Sequence, residues 1–271
     1  MTAIAEDFSK VCRQWRQFRK LSQLELALAA NVSQRHVSWL ETGRSKPSRE
    51  MVLRLSEAMD VPLRERNALL KAAGFSAAYR ESRLEDPSMA PVLDALERML
   101  SHHEPLPAMV VDRLWNIKRM NRAAELMLSL GGDLAELQQE IGFGDELNIA
   151  LLSVHPDGLR RYIANWEELG PTFARRLRVE AAASGDPAVQ SLFERMIELA
   201  DQDGDATPAI HNLQPVLPVV LDVNGLRLSL FSVISTLGTP QDVTADEMRI
   251  ESFYPADAET AAFFAQAATE H

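Results

Sequence analysis

Two short helices with only three residues between them leave a chain few ways to fold. Residues 21–48, LSQLELALAANVSQRHVSWLETGRSKPS, carry that pattern. Ser22 is a predicted N-cap, and Glu25 three residues later completes a Ser-x-x-Glu capping box, in which each side chain accepts a hydrogen bond from the other residue's amide. Ser33 caps a second helix in the same way, and Thr42-Gly43 ends it. Only Ala30-Asn31-Val32 lie between the two. So short a connection makes the helices cross steeply, with a small residue, Ala27, at the crossing and Val32 and Val37 filling the wedge. Val37 and Leu40 then point inward, which leaves Gln34, Arg35, Ser38 and Trp39 on other faces.

Three more amphipathic segments surround this pair. One runs from about Asp7 to Arg19, with Phe8, Val11, Trp15 and Phe18 on one face. Another opens at Pro47-Ser48 and continues through Met59, and a fifth has Pro62 near its start and ends near Gly74. The expectation is an all-α domain of five helices over residues 1–79 with a helix-turn-helix at its centre. The second helix of such a motif fits the major groove of double-stranded DNA. Gln34 and Arg35 suit that position, since Arg pairs with guanine and Gln with adenine through two hydrogen bonds each, worth about 1–3 kcal/mol of discrimination.

The net charge of −11 argues against nucleic acid until its distribution is read. Residues 1–82 hold 14 Lys and Arg against 9 Asp and Glu, whereas residues 83–271 hold 14 against 30. The phosphate backbone would repel the second block, which confines DNA contact to the first. Hydrophobic residues at 46% place the chain among folded proteins. The single Cys12 excludes an internal disulfide framework and an all-cysteine metal site, which fits a reducing compartment. There is no apolar signal core in MTAIAEDFSKVCRQW and no run approaching the ~18 apolar residues of a membrane helix. A cytoplasmic location without membrane contact is expected.

The stretch LSQLELALAANVSQRHVSWLETGRSKPSREMVLRLSEAMDVP resembles the lambda-repressor-type helix-turn-helix of xenobiotic-response-element regulators. Leu21, Ser22, Gln23, Glu25, Leu26, Ala27, Val32, Ser33, Val37, Ser38, Glu41, Gly43, Arg44, Pro47 and Ser48 match at fixed spacing. The resemblance implies a phosphate contact for Gln23 and base contacts for Gln34 and Arg35. Ser33 at the cap and Ser38 and Trp39 further along are counted with them. Arg44 and Lys46, in the following loop, would hold the DNA backbone. A homodimer of such domains binds a pseudo-palindromic operator.

RESRLEDPSMAP, residues 80–91, is charged and contains two prolines, so residues 80–89 are expected to be a linker. Beyond it, a helix from Ala90 to about His102 precedes an extended stretch at 106–121. Residues 136–200 read as mostly helical, with breaks at His155-Pro156-Asp157-Gly158 and Ser184-Gly185-Asp186-Pro187. The period then changes, with strands on both sides of Asn224-Gly225, a strong hairpin signal, and another strand in RIESFYPAD. Strands at both ends of a helical middle imply an α+β domain over 90–258, with residues 259–271 a tail or helix.

This second region resembles the ligand-binding domain of MmyB-like regulators, which has a PAS-like fold with an antiparallel sheet and flanking helices. The resemblance rests on Pro107, Val110, Asp112 and Trp115, on Asn121, and on His155-Pro156 leading to Asn165-Trp166. Thr239-Pro240-Gln241-Asp242 and Tyr254-Pro255-Ala256-Asp257 complete it. It implies a pocket for a small hydrophobic ligand, with a fatty acid as the leading candidate. Burying ten methylenes would contribute about 8 kcal/mol at ~0.8 kcal/mol each, before ordering costs. A buried carboxylate head would need a cation or hydrogen-bond donor, for which Asn121, Arg122, His155, Arg160 and Arg161 are candidates. Trp115 and Trp166 are equally suited to core or pocket wall.

Catalysis is not expected. His102-His103-Glu104 lacks metal-ligand spacing and reads as a solvated turn. Ser232 and Ser235 lack a nucleophile elbow. Asp201, Asp203 and Asp205 lack the glycine position and terminal glutamate of a calcium loop, and no glycine-rich phosphate loop occurs. No metal or cofactor is expected. The competing expectation is an antitoxin-like or partner-controlled DNA-binding protein whose second region binds another protein.

Overall fold

The first helices start where the sequence supplies a side chain for their free amides. In the computed structural model, which describes residues 7–141, 146–201 and 215–269, Asp7 caps α1 (Phe8–Phe18) and Ser22 caps α2 (Gln23–Ala29). Ser33 caps α3 (Gln34–Glu41) and Ser48 caps α4 (Arg49–Ala58). The capping box is present: Ser22 Oγ accepts from the Glu25 amide at 3.1 Å, and Glu25 Oε2 accepts from the Ser22 amide at 2.7 Å. In the turn, Asn31 adopts φ 51°, which lets the Val32 amide return to the Ala27 carbonyl at 2.9 Å. Ala27, Val37 and Leu40 are buried at the crossing and join Cys12, Trp15, Leu55, Met59 and Leu70 in one core.

The chain packs as two units. One holds residues 1–83 together with 239–246, and the other holds 84–238 and 247–271. The first boundary therefore falls a few residues beyond the expected one, and 239–246, expected in the second domain, belongs to the first unit. The reason is visible in its hydrogen bonds. α5 (Leu63–Ala72) starts at Pro62, which has no side chain to cap it, and Asp246 accepts from the Leu63 amide at 3.0 Å instead. Asp242 accepts from the Ser82 hydroxyl at 2.7 Å, and the Thr244 hydroxyl donates to the Ser82 carbonyl at 2.6 Å. Asp246→Ala should remove about 1 kcal/mol of capping energy. Hydrogen exchange of the first-turn amides of α5 is then expected to quicken by about fivefold, with the amides of α2 and α3 unchanged.

The second unit contains α6 (Ala90–His103), β1 (Ala108–Val111), β2 (Ile117–Met120), α7 (Arg122–Ser129), α8 (Leu134–Ile141) and α9 (Ile149–Val154). It continues through α10 (Trp166–Ala183), α11 (Pro187–Ala200), β3 (Val219–Val223) and β4 (Leu226–Thr236). A short α12 (Val243–Glu247) spans the unit boundary before β5 (Arg249–Pro255) and α13 (Ala258–Ala267). All strand pairs are antiparallel, in the PAS-like order β2-β1-β5-β4-β3. Asn224 and Gly225 turn the β3–β4 hairpin at φ 53° and 86°, the left-handed pair a two-residue loop requires. α13 is part of the domain, since Phe264 is buried in a core with Met109, Leu152, Phe193, Met196 and Leu230.

His102 and His103 form the last turn of α6, where His102 is exposed, as expected, and His103 is partly buried. The His103 ring lies 3.0 Å from the Phe253 carbonyl through Nε2 and packs edge-on against Tyr254. Asp203 and Asp205 lie outside the described residues.

Candidate nucleic-acid interface and ligand cavity

The lower face of the helix-turn-helix is built around one buried carboxylate. Glu41, at the end of α3, has a fully buried side chain. Its Oε1 accepts from Arg16 Nε at 2.6 Å, and its Oε2 accepts from Arg16 Nη2 and Gln23 Nε2, both at 2.9 Å. Arg13 also donates to the Glu41 carbonyl at 2.6 Å. Burial alone would raise the Glu41 pKa, but the bonds from Arg16 and Gln23 hold it below the usual carboxylate value. The result is mechanical as well as electrostatic. Gln23, at the start of α2, is fixed against α3 by a group that water cannot reach.

That arrangement brings Gln23, Gln34, Arg35, Ser38, Trp39, Thr42 and Arg44 around a single shallow depression. Six of the eight residues expected to meet DNA are among them. Ser33 stands at the N-cap of α3, spending its side chain on the His36 amide at 3.2 Å, and Lys46 is exposed beyond the end of the helix. Thr42 was not anticipated; its hydroxyl donates to the Ser38 carbonyl at 2.8 Å. The Arg35 guanidinium lies over the Trp39 ring, 4.4 Å from its centre. Trp39 is 36% exposed, so this stack stands at the surface. The Arg44 amide returns to the Trp39 carbonyl at 2.9 Å, which fixes the loop that follows.

The second unit holds a partly open cavity of about 360 Å³. The inward residues of three strands form one wall, among them Leu221, Leu230 and Phe253, in keeping with the alternation of a strand. α10 forms another wall through Leu169, Phe173 and Leu177, spaced four residues apart on one face. Met127 and Leu128 of α7 and Ile149 and Val154 of α9 close it. Such an apolar chamber with a few convergent polar groups is the usual form of a small-molecule site.

Among the seven residues expected at the ligand, Trp115 lines the cavity. It sits at φ 69° in the β1–β2 connection, a left-handed conformation costly for an aromatic residue, of order 1–3 kcal/mol. Asp112 maintains it by accepting from the amides of Leu114 and Asn116 at 2.8 and 3.0 Å. The other six lie outside the lining. Asn121 is buried and spent on its surroundings, accepting from the Ala108 and Ala124 amides and donating to the Leu106 carbonyl. Arg122 borders a separate depression with Glu104, Glu125 and Asp133. His155 accepts from the Asp157 amide at 3.2 Å. Arg160 lies over Trp166 and donates to the Leu199 carbonyl, and Arg161 lies over Tyr162. Trp166 backs the cavity wall by stacking on Phe173.

The polar groups at the cavity itself were not anticipated. Arg176 on α10, Ser232 on β4 and Glu251 on β5 line it beside Trp115. Arg176 stands 4.3 Å above the Trp115 ring, with Nε donating to Glu180 at 3.2 Å. Glu180 also accepts from Trp115 Nε1 at 2.8 Å and from Arg249 at 2.9 Å. Burial pushes the Glu251 carboxyl above its usual range; Ser232, donating to it, and the nearby Arg176 and Arg249 oppose that shift, while Glu180 adds to it. One signal was legible: Arg176 and Glu180 lie four apart, beside the Leu169, Phe173 and Leu177 stripe.

Burial, then the charge of Glu41, pushes the Cys12 thiol up to about 12, so it does not exist as a thiolate near neutral pH. No cluster of three metal-ligating side chains occurs among the described residues, and no helix among them is long and apolar enough to cross a membrane.

Comparison with known proteins supports both halves. A helix-turn-helix family profile matches residues 13–66, covering α2, α3 and most of the first unit. The profile described as the MmyB-like transcription regulator ligand binding domain matches residues 92–267. No curated protein matches the chain. With the helix-turn-helix, the PAS-like sheet and its cavity in place, the chain belongs to the MmyB-like transcription regulators: it is a DNA-binding transcription regulator with a ligand-binding domain.

Proposed function

We propose that the protein is a sequence-specific regulator whose α3 reads a pseudo-palindromic operator and whose second domain senses a small hydrophobic ligand, with a fatty acid as the leading candidate. The observation that carries the DNA half is the gathering of Gln23, Gln34, Arg35, Ser38, Trp39 and Arg44 around one depression although they span 22 positions of sequence. Gln34 and Arg35 face base edges, Gln23 and Arg44 face phosphate, and Glu41 keeps Gln23 in place. A homodimer would set two such helices about 34 Å apart on one face of the duplex. The acidic second block keeps phosphate contacts to the first unit, and a cytoplasmic site of action is part of this reading.

Ligand acts in this scheme by its differential affinity for two states of the dimer, which alters the spacing or population of the DNA-binding form. The apolar cavity supports a ligand with a long hydrocarbon part. Native mass spectrometry of the purified protein, followed by denaturing extraction, tests it. A mass excess that extracts as a lipid supports the sensor reading, whereas a clean chain mass that no added lipid increases counts against it.

Lys46→Ala separates positioning from reading. As a phosphate contact, Lys46 should weaken cognate and random duplexes alike. The slope of log affinity against log salt should flatten by about one unit. A loss confined to the cognate sequence would assign it to base reading instead.

A further inference from the structure

The cavity is mostly apolar, and its charged lining residues, Arg176 and Glu251, stand together at the end where α10 meets β4 and β5. Arg176 and Arg249 carry two positive charges and share the single Glu180 carboxylate. Glu251 decides the sum. Ionised, it would make the cluster neutral at the expense of a carboxylate held in an apolar chamber. Protonated, it leaves one net positive charge facing the cavity beside an O–H donor. An anionic head on an apolar body supplies the missing charge. Two carboxylates side by side repel, so such a head and an ionised Glu251 exclude each other.

We propose that Arg176, Ser232 and Glu251 form the seat for a single carboxylate at the end of an apolar ligand, with Glu251 keeping its proton in the complex. Arg176 provides the charge, Glu251 donates its O–H to the ligand carboxylate, and Ser232 holds the Glu251 carboxyl. Glu180, held by Trp115 Nε1 and Arg249, orients Arg176 from behind. The inference rests on the cavity being the ligand site.

It follows that binding is linked to protons. The charged groups facing Glu251 are Arg176 and Glu180 from α10 and Arg249 from its own strand. Its cross-strand neighbours Met109 on β1 and Ile234 on β4 carry no charge. Glu251, raised above the ordinary carboxylate range, is the group that changes state, and as pH rises through its pKa the seat turns from receptive to repulsive. A ligand with the same chain and an uncharged head lacks this dependence.

The test uses the full chain stripped of lipid, with dodecanoate and dodecan-1-ol as probes, titrated calorimetrically at about pH 6 and about pH 9, where dodecanoate stays ionised. Dodecanoate affinity is expected to fall by about tenfold or more between the two, and dodecan-1-ol affinity to stay level. Glu251→Gln, a neutral shape match for the protonated acid, should bind dodecanoate without pH dependence. Arg176→Gln should lose about tenfold for dodecanoate and little for the alcohol. If Glu251→Gln does not fold, the wild-type comparison of the two probes decides. A pH trend that survives in Glu251→Gln, or equal pH responses of the two probes, overturns the seat while leaving the cavity as a ligand site. Failure of both probes to bind overturns the ligand site and the seat together.

Discussion

Glu41→Ala is expected to destabilise the first unit by about 3–5 kcal/mol, a large part of what holds such a domain together. The carboxylate is fully buried and is bound by Arg16, Gln23 and, through its backbone carbonyl, Arg13. Removing it leaves the Arg16 guanidinium, 12% exposed, without its counter-charge and with the Leu21 carbonyl as acceptor. The same group makes the unit sensitive to acid. Its folded-state pKa lies below the ordinary value of 4.5, so its contribution is complete above that value and is lost as pH falls through the lower one. Hydrogen exchange of α1–α3 measures this, and the variant should also lose the acid response that the wild type shows. Exchange rates equal to the wild type would show that Glu41 does not organise the face.

Arg35→Ala should relax sequence choice more than it lowers general affinity. Loss of a bidentate contact to a base pair is worth about 1–3 kcal/mol, or roughly ten- to a hundredfold in preference at that position. Random duplex, held by phosphate contacts, should bind almost as before. The stack of Arg35 on Trp39 makes a second, smaller prediction. Trp39→Leu should reduce the same preference by about threefold, because the guanidinium loses the platform that limits its rotamers. Equal losses on cognate and random DNA for Arg35→Ala would remove it from base reading.

How much of this was legible in the sequence depends on the range of the interactions involved. The capping box at Ser22 and Glu25, the stop at Gly43 and the hairpin at Asn224-Gly225 are local, and each element forms where local chemistry places it. Trp115 was named through the pattern it shares with Asp112 and suited core or pocket wall equally; Asp112 holds its turn from three residues away, but its place at the cavity depends on the fold. Glu41 was recognised as part of a pattern, but its burial was not, because Arg16 and Gln23 lie 25 and 18 residues from it. Arg176 and Glu251 occupy unremarkable positions on a helix and a strand; only the fold brings them to one end of a cavity. The cationic candidates Arg122, Arg160 and Arg161 were chosen for charge alone, and the structure engages Arg160 with Trp166 and Arg161 with Tyr162. Residues 239–246 join the first unit through Asp246 at Leu63, a separation of 183 residues that no local pattern announces.

The central claim, that the face around Arg35 reads DNA sequence, is tested most directly by selecting duplexes from a randomised pool with the purified protein. Enrichment of an inverted repeat, with half-sites centred about ten base pairs apart, is the predicted result. The Arg35→Ala variant should lose the preference at one symmetric pair of positions. A pool that shows no enriched sequence, or the same sequence enriched equally well by the variant, would contradict the account.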